Sequence, residues 1–143
     1  MVSDKELAGS LIQLATAVHA AFTELSRAHG LAPQQAVLAC LLDEGPVGMC
    51  GLGEALKVEK SSLSGLVDRA EKRGLVRRLP DPEDRRAVLV ALTDEGRATA
   101  GAFKEEIVRV LVKQADELPA EIAAQFRASL PAAAASYWAG LTS

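Results

Sequence analysis

Apolar residues recur every three or four positions along most of the chain, a spacing typical of amphipathic α-helices. The predicted helices cover about residues 5–28, 33–43, 50–56, 60–74, 94–115 and 119–130, with a further helical tail after Pro131. Gly30 and Gly74 are expected to end two of these helices, and Pro131 to kink or break the last one. Thr93 is a candidate N-cap for the fifth helix, and Ser61 or a neighbour for the fourth.

One segment departs from the helical spacing. Residues 75–79 and 85–93, LVRRL and RRAVLVALT, are rich in Val, Leu and Arg and flank the turn Pro80-Asp81-Pro82-Glu83-Asp84. Two such runs around a Pro- and Asp-rich turn are typical of a β-hairpin. The order helix, turn, helix, hairpin predicts a fold that is mainly α with a small β-hairpin wing, a winged helix-turn-helix with flanking N- and C-terminal helices.

Length and composition fit one ordinary globular domain. The chain has 143 residues, of which 49% are apolar and 24% charged, proportions typical of folded proteins. No apolar run approaches the roughly 18 residues needed to cross a bilayer, and the N-terminus lacks a secretory signal pattern, so we expect a cytoplasmic protein with no membrane partner. Two histidines and two cysteines without CxxC spacing predict no metal site and no cofactor. No nucleophile–base pair or phosphate-binding loop is recognisable, so we expect no enzyme.

Positive charge is concentrated in the middle of the chain. Lys57–Arg86 contains nine basic and six acidic residues, a net charge of +3, whereas the rest of the chain carries −6. A positive centre in an acidic chain is typical of a polyanion-binding module, and a solvated charged face is the alternative interpretation. The predicted helix from Lys60 would direct free backbone N–H groups and small polar side chains at DNA phosphates or base edges.

The same region resembles the winged helix-turn-helix core of MarR-type transcriptional regulators. The resemblance rests on Leu66-Val67-Asp68-Arg69, Arg73-Gly74-Leu75-Val76, Asp84-Arg85-Arg86 and Leu92-Thr93 with Gly96. These pieces occur in the family's order and spacing over about residues 52–96. The resemblance implies a homodimer that places two recognition helices in successive major grooves of double-stranded DNA. Residues 1–30 and 97–143 would form its helical dimerisation region, and residues 31–96 its DNA-binding lobe.

The resemblance also implies the site residues. The predicted DNA contacts are Lys60, Ser61, Ser62, Ser64, Gly65, Arg69, Arg73, Arg78, Arg85 and Arg86. Asp84 and Arg86 match the family's wing Asp-x-Arg pair, in which the carboxylate helps to hold the wing and an arginine enters the minor groove. Family members often respond to small aromatic or lipophilic effectors, so an effector pocket is expected beside the first helix, with His19 and Phe22 as its candidate lining.

Two features of the sequence limit how bases can be recognised. Gly65 stands where many members of the family carry a long polar or basic residue. The chain contains no Asn, and no Gln between residues 36 and 113, so bidentate recognition of adenine by an amide cannot occur in the DNA-binding core. We therefore predict guanine contacts by Lys or Arg, serine contacts, and recognition of DNA shape through the wing.

Several residues have a structural interpretation beside a functional one. Cys40 lies in an apolar run and is expected to pack in the core, while Cys50 begins a short helix where a thiolate could be stabilised, so oxidant sensing is the alternative for either. His29 is expected to interact with the last carbonyls of the first helix. Tyr137 and Trp138 are expected to anchor the core or a dimer interface.

The two arginines of the first hairpin strand are expected to have different surroundings. Arg77 and Arg78 alternate on a strand, so one is expected to face solvent or DNA and the other to pair with a carboxylate such as Asp84. The alternative function is a winged-helix protein-interaction module without specific DNA binding.

Overall fold

The computed structural model describes residues 1–142, which form six α-helices and a small three-stranded sheet. In chain order the elements are α1 (Asp4–Ala28), α2 (Pro33–Leu41), β1 (Val47–Gly48), α3 (Met49–Leu56), α4 (Lys60–Lys72), β2 (Val76–Asp81), β3 (Asp84–Leu92), α5 (Asp94–Asp116) and α6 (Ala120–Thr142). The predicted fold class, mainly α with a β-hairpin wing, is confirmed. The chain divides into two compact units, Met1–Ile107 and a second one from Val108 onward. The dimerisation and DNA-binding boundaries implied by the resemblance stay predictions.

Local sequence signals set the helix ends. Ser3 and Glu6 form a capping box at the start of α1, with reciprocal backbone-to-side-chain hydrogen bonds of 3.1 and 3.0 Å. The Thr93 hydroxyl accepts the Gly96 N–H at 2.9 Å, which confirms Thr93 as an N-cap. The N-cap prediction for Ser61 is wrong, because α4 begins after Glu59 and Ser61 therefore lies inside the first turn.

The sheet has one strand more than the hairpin that the sequence predicts. β2 and β3 pair antiparallel, with Val76 opposite Leu92 at the base. β1 pairs with β3 through Val47 opposite Val90, which gives the order β1-β3-β2. The sequence does not reveal β1, since two residues are too few to display an alternating pattern.

The core of the first unit is built from aliphatic side chains around one aromatic ring. Its buried apolar residues are Leu31, Ala36, Leu38, Ala39, Leu42, Leu52, Leu63, Leu66, Val67, Ala70, Leu75, Val76, Val90, Ala91, Leu92, Ala100, Phe103 and Ile107. Phe103 of α5 is fully buried, and the Phe22 ring of α1 meets it edge-on at a centroid distance of 5.0 Å. This packing fixes α2–α4 and the wing on one scaffold.

The base of the wing is joined to α5 at very short range. A Cβ on Gly96 would lie 1.9 Å from the carbonyl oxygen of Leu75, so only glycine fits there. The Thr93 N–H donates to the same oxygen at 3.0 Å, and the Thr93 hydroxyl donates to the Gly74 carbonyl. The start of β2 and the start of α5 are therefore held together by backbone contacts.

The long helices α1 and α6 have a different character. Residues 4–20 of α1 are all exposed, and none of residues 120–141 in α6 is buried. The large apolar side chains that they expose are Leu7, Leu11, Ile12, Leu14, Val18, Ile122, Leu130, Tyr137, Trp138 and Leu141. α6 continues across Pro131, so the expected break does not occur. Four alanines follow this proline, and alanine has the highest helix propensity.

Within the described part of the chain, no helix combines the length and the apolar character that a membrane span requires.

Candidate nucleic-acid interface

Helix α4 is amphipathic, with one face buried in the core. Leu63, Leu66, Val67 and Ala70 are buried. The opposite side carries the exposed residues Lys60, Ser61, Ser62, Asp68 and Arg69, with Ser64 and Gly65 half-buried among them. Most of the predicted recognition-helix contacts therefore share one outward face. Small side chains on this face would let the α4 backbone come close to a DNA groove.

The first turn of α4 keeps its backbone amides available. No side chain within residues 1–142 makes a capping hydrogen bond there. The turn before it is tight, since Lys57 adopts a left-handed conformation with φ 57° and ψ 41° and Val58 donates its N–H to Gly53 at 3.2 Å. Free N–H groups and the positive end of the helix dipole together favour an anion such as phosphate at this position.

Arg78 of β2 is the main electrostatic link between the wing and α4. Its two terminal nitrogens each lie 2.7 Å from a carboxylate oxygen, Nη2 from Asp68 and Nη1 from Glu71. Partial burial opposes the charge on Arg78, but hydrogen bonds and charges from these two carboxylates outweigh it and raise the pKa of the guanidinium. The prediction that one of the two hairpin arginines faces solvent holds for Arg77, which is exposed.

The prediction that the other hairpin arginine pairs with a carboxylate is confirmed for Arg78, but Asp84, named as an example, is not its partner. Asp84 does not accept this guanidinium, because β2 turns the Arg78 side chain towards α4 rather than along the hairpin. The two carboxylates that bind Arg78 are three residues apart on α4 and so lie on the same helix face. Arg78 stays a predicted DNA contact, with its guanidinium already engaged inside the protein.

The tip of the wing is organised by two carboxylates. Asp84 Oδ1 accepts the N–H of Arg86 at 3.0 Å, and Asp81 Oδ1 accepts the N–H of Glu83 at 2.9 Å. Such bonds to a backbone amide two residues on are typical of Asx turns. Asp84 thus accepts a backbone hydrogen bond within the turn, and Arg85 and Arg86 are both exposed beside it.

Arg73 lies at the opposite end of α4 from Lys60. It follows the last residue of α4, roughly 20 Å along the helix axis from Lys60. Its Nη1 donates to the Gln35 side-chain oxygen at 3.1 Å, and the same oxygen accepts the Ala32 N–H at 3.0 Å. Arg73 therefore ties the end of α4 to the start of α2, a role for Gln35 that the sequence does not signal.

The candidate effector residues differ in burial. His19 is exposed on α1, whereas Phe22 is half-buried against Phe103. His29 interacts with the last carbonyls of α1 as expected, but it does so through its backbone N–H. Its ring points elsewhere, with Nε2 3.3 Å from Glu106 Oε2 of α5.

The two cysteines are both free thiols in different surroundings. Cys40 is only half-buried and Cys50 is exposed. Burial raises the pKa of the Cys40 thiol, which disfavours the reactive thiolate. Among residues 1–142, no group of three or more His, Cys, Asp or Glu side chains is arranged to hold a metal ion.

Comparisons with known proteins decide the family. Residues 32–88 match the family model described as MarR family. A crystal structure of a probable transcriptional regulator from Pseudomonas aeruginosa is 30% identical, has a TM-score of 0.67, and is matched over 90% of this chain and 96% of its own. The chain belongs to the MarR family.

Two further relatives bear on function. The HTH-type transcriptional repressor NicR of Pseudomonas putida is 40% identical over 70 residues, which cover 49% of this chain and 44% of NicR. CouR from Rhodococcus jostii RHA1, crystallised with p-coumaroyl-CoA, is 25% identical with a TM-score of 0.69, over 87% of this chain and 88% of CouR. The matched region spans about half the length of the curated relatives.

Proposed function

We propose that this MarR-family protein is a cytoplasmic, sequence-specific DNA-binding transcriptional regulator that represses transcription. It binds a pseudo-palindromic operator as a homodimer, and a small aromatic or lipophilic effector releases it. The observation that carries the proposal is the outward face of α4, on which an uncapped helix start, small side chains and Arg69 lie together. The exposed Arg85 and Arg86 of the wing supply a second contact for the same duplex.

The dimer follows from the surfaces of the outer helices. α1 and α6 each expose a series of large apolar side chains, and exposed apolar surface of this kind is typical of protein interfaces. A symmetric dimer would cover these side chains with a second copy of the chain. It would also present two α4 helices, which fits half-sites about one DNA turn apart.

The effector part of the proposal has separate support. CouR, a relative of similar fold, is bound to an aromatic acyl-CoA in its crystal structure. In the present chain His19 and Phe22 lie three residues apart on α1, and so on the same side of the helix. These two residues are the proposed aromatic part of an effector pocket.

Selection of duplexes from a random pool tests the DNA-binding function. We expect the selected sequences to contain inverted half-sites with centres about 10 base pairs apart. The logarithm of the affinity should fall with the logarithm of the salt concentration with a slope of about −5 to −9, because about 6–10 phosphates would be contacted. A protein that selects no sequence, or binds with no dependence on salt, would support the protein-interaction alternative instead.

Effector binding is tested by the same assay in the presence of aromatic carboxylic acids and their CoA thioesters. We expect one of these classes to weaken operator binding, and His19→Ala to reduce that response while leaving affinity without effector unchanged. Equal sensitivity of the wild type and the variant would remove His19 from the pocket.

A further inference from the structure

The turn between α1 and α2 is anchored in the first unit. Leu31, in this turn, is 2% exposed, and its N–H donates to the Ser26 carbonyl at 2.8 Å. The neighbouring His29 ring reaches α5, where its Nε2 lies 3.3 Å from Glu106 Oε2. Because the turn is held both by the core and by α5, residues 29–32 offer a fixed point to which another element can be attached.

Arg73 attaches the end of α4 to this turn. Its Nη2 lies 3.0 Å from the position that a Cβ would take on Gly30, which has φ 70°. Its Nη1 donates to Gln35 Oε1 at 3.1 Å, and the same oxygen accepts the Ala32 N–H at 3.0 Å. Glycine at position 30 therefore leaves room for the guanidinium, and Gln35 joins the guanidinium to the backbone of the turn.

The chain that follows Arg73 is held by a different element. The Gly74 carbonyl accepts the Thr93 hydroxyl, and the Leu75 carbonyl accepts the Thr93 N–H at 3.0 Å. These bonds locate the chain after α4 against the start of α5. Arg73 adds an attachment to the α1–α2 turn at the same end of the helix, so α4 is held there from two sides.

A small change at this end of α4 becomes large at the other end. The helix rises about 1.5 Å per residue, so Lys60 lies roughly 20 Å from Arg73. A rotation of about 3° around the Arg73 end would move the first turn of α4 by about 1 Å. Binding groups have to be held to within about 0.5 Å of the productive geometry. The angle of α4 therefore decides which groups of its first turn can meet the edge of a base.

We propose that Arg73 is a positioning residue for operator recognition, which holds α4 at its binding angle through Gly30 and Gln35 and makes no contact with DNA. The inference rests on the proposed function, and it replaces the DNA contact that the family resemblance implies for this residue. The observation that carries it is the guanidinium itself, which donates to Gln35 and packs over Gly30 at the end of α4 opposite Lys60.

The experiment compares binding to a selected operator with binding to an unrelated duplex of the same length, by fluorescence anisotropy over a salt series. Arg73→Ala is expected to weaken operator binding about tenfold, as for the loss of one hydrogen bond to a charged group. Affinity for the unrelated duplex and its salt dependence should stay at the wild-type values. A lost phosphate contact would instead weaken both duplexes and lower the salt slope by about one unit, and that result would overturn the inference.

A conservative change at Gln35 separates the two roles by direction. Glutamate also forms a capping box at this position of α2, and its carboxylate can accept the bonds from both Ala32 and Arg73. Gln35→Glu should therefore keep or raise operator affinity. If Arg73 contacts a phosphate, the new carboxylate would compete for its guanidinium, and weaker binding of both duplexes would overturn the inference. This variant removes no attachment, so it stays decisive if Arg73→Ala does not fold.

A double variant tests whether Arg73 and Gln35 act through one attachment. Gln35→Ala alone should weaken operator binding about tenfold, like Arg73→Ala. The two changes together should also cost about tenfold, because the second one removes nothing that the first has left in place. A loss of about a hundredfold, the product of two independent effects, would overturn the shared role.

Lys72→Ala is the matched control, because it removes the same charge from the exposed residue next to Arg73. It should keep the operator affinity of the wild type, and a loss equal to that of Arg73→Ala would overturn the inference in favour of charge alone. Failure of the wild type to bind any duplex refutes the proposed function itself. Equal weakening of both duplexes in Arg73→Ala refutes only the positioning role. Circular dichroism on each variant separates these outcomes from loss of folding.

Discussion

Helices α4 and α6 differ in how far their apolar side chains are buried. α4 has 13 residues and buries four apolar side chains against its own chain. α6 has 23 residues, yet Leu130, Tyr137 and Trp138 are 41%, 61% and 52% exposed. The packing of α4 is thus complete within one chain, whereas α6 exposes apolar surface. The proposed functions divide in the same way, because α4 presents a polar face to a ligand and α6 presents exposed apolar side chains to another protein surface.

The largest expected effect is a loss of stability when the buried face of α4 is changed. Leu63 is 2% exposed, so Leu63→Ala should lower the free energy of unfolding by about 2–5 kcal/mol, because both burial and packing are lost. Urea denaturation measures the change, with Leu130→Ala on α6 as the control. The loss for Leu63→Ala should not depend on protein concentration, whereas any loss for Leu130→Ala should depend on it. Equal, concentration-independent losses would contradict the comparison.

Charged residues on α6 should break the proposed dimer and leave the fold intact. Tyr137→Glu combined with Trp138→Glu is expected to weaken self-association at least tenfold, since two buried carboxylates would lack partners in the interface. Sedimentation velocity gives the molecular mass, and DNA binding should weaken with it. Glu121→Gln, also on α6 and exposed, is the control that should leave the mass unchanged. An unchanged dimer in the double variant would place the interface elsewhere.

Replacing the arginines at the wing tip is expected to have an effect of intermediate size, on DNA affinity. Arg85→Ala with Arg86→Ala should lower affinity about tenfold for many sequences and flatten the salt dependence by about two slope units, because two cationic contacts to the backbone are lost. Fluorescence anisotropy over a salt series provides both numbers. Affinity and slope equal to those of the wild type would exclude the wing from the interface.

The smallest effect concerns an ion pair at the surface of the first unit. Lys104 Nζ lies 2.7 Å from Asp43 Oδ2, and hydrogen bonding and charge from Lys104 lower the pKa of Asp43. A carboxylate with a lowered pKa stabilises the fold above its ordinary pKa, and this contribution is lost progressively as the pH falls from about 4 through the lowered pKa of Asp43. We expect Asp43→Asn to lower the urea midpoint slightly at pH 7 and the difference to shrink steadily as the pH is lowered below about 4. A difference that stays constant over that range would exclude this pairing as its cause.

Sequence periodicity predicts the regular elements because they are local. The helices, the hairpin and the N-cap at Thr93 follow from residues that are close in sequence. The strand β1 and the continuity of α6 across Pro131 are not predicted, since the first depends on pairing with a distant strand and the second on the helix propensity of its neighbours.

The site is predicted less completely than the fold. The polar face of α4 follows from the amphipathic pattern, and the turn that contains Asp84 follows from its Asp-rich sequence. The partners of Arg78, Arg73 and His29 do not, because each contact joins elements whose relative orientation is set by core packing. Nothing in the sequence marks Glu71 and Gln35 as partners of these arginines, since charged or polar residues on a helix are ordinarily solvated.

The contact between Gly96 and Leu75 has a mechanical consequence. A hydrogen atom is the only substituent that this joint accommodates, so no slack exists between the first turn of α5 and the strand that leads into the wing. Movement of the first turn of α5 would therefore require the start of β2 to move with it.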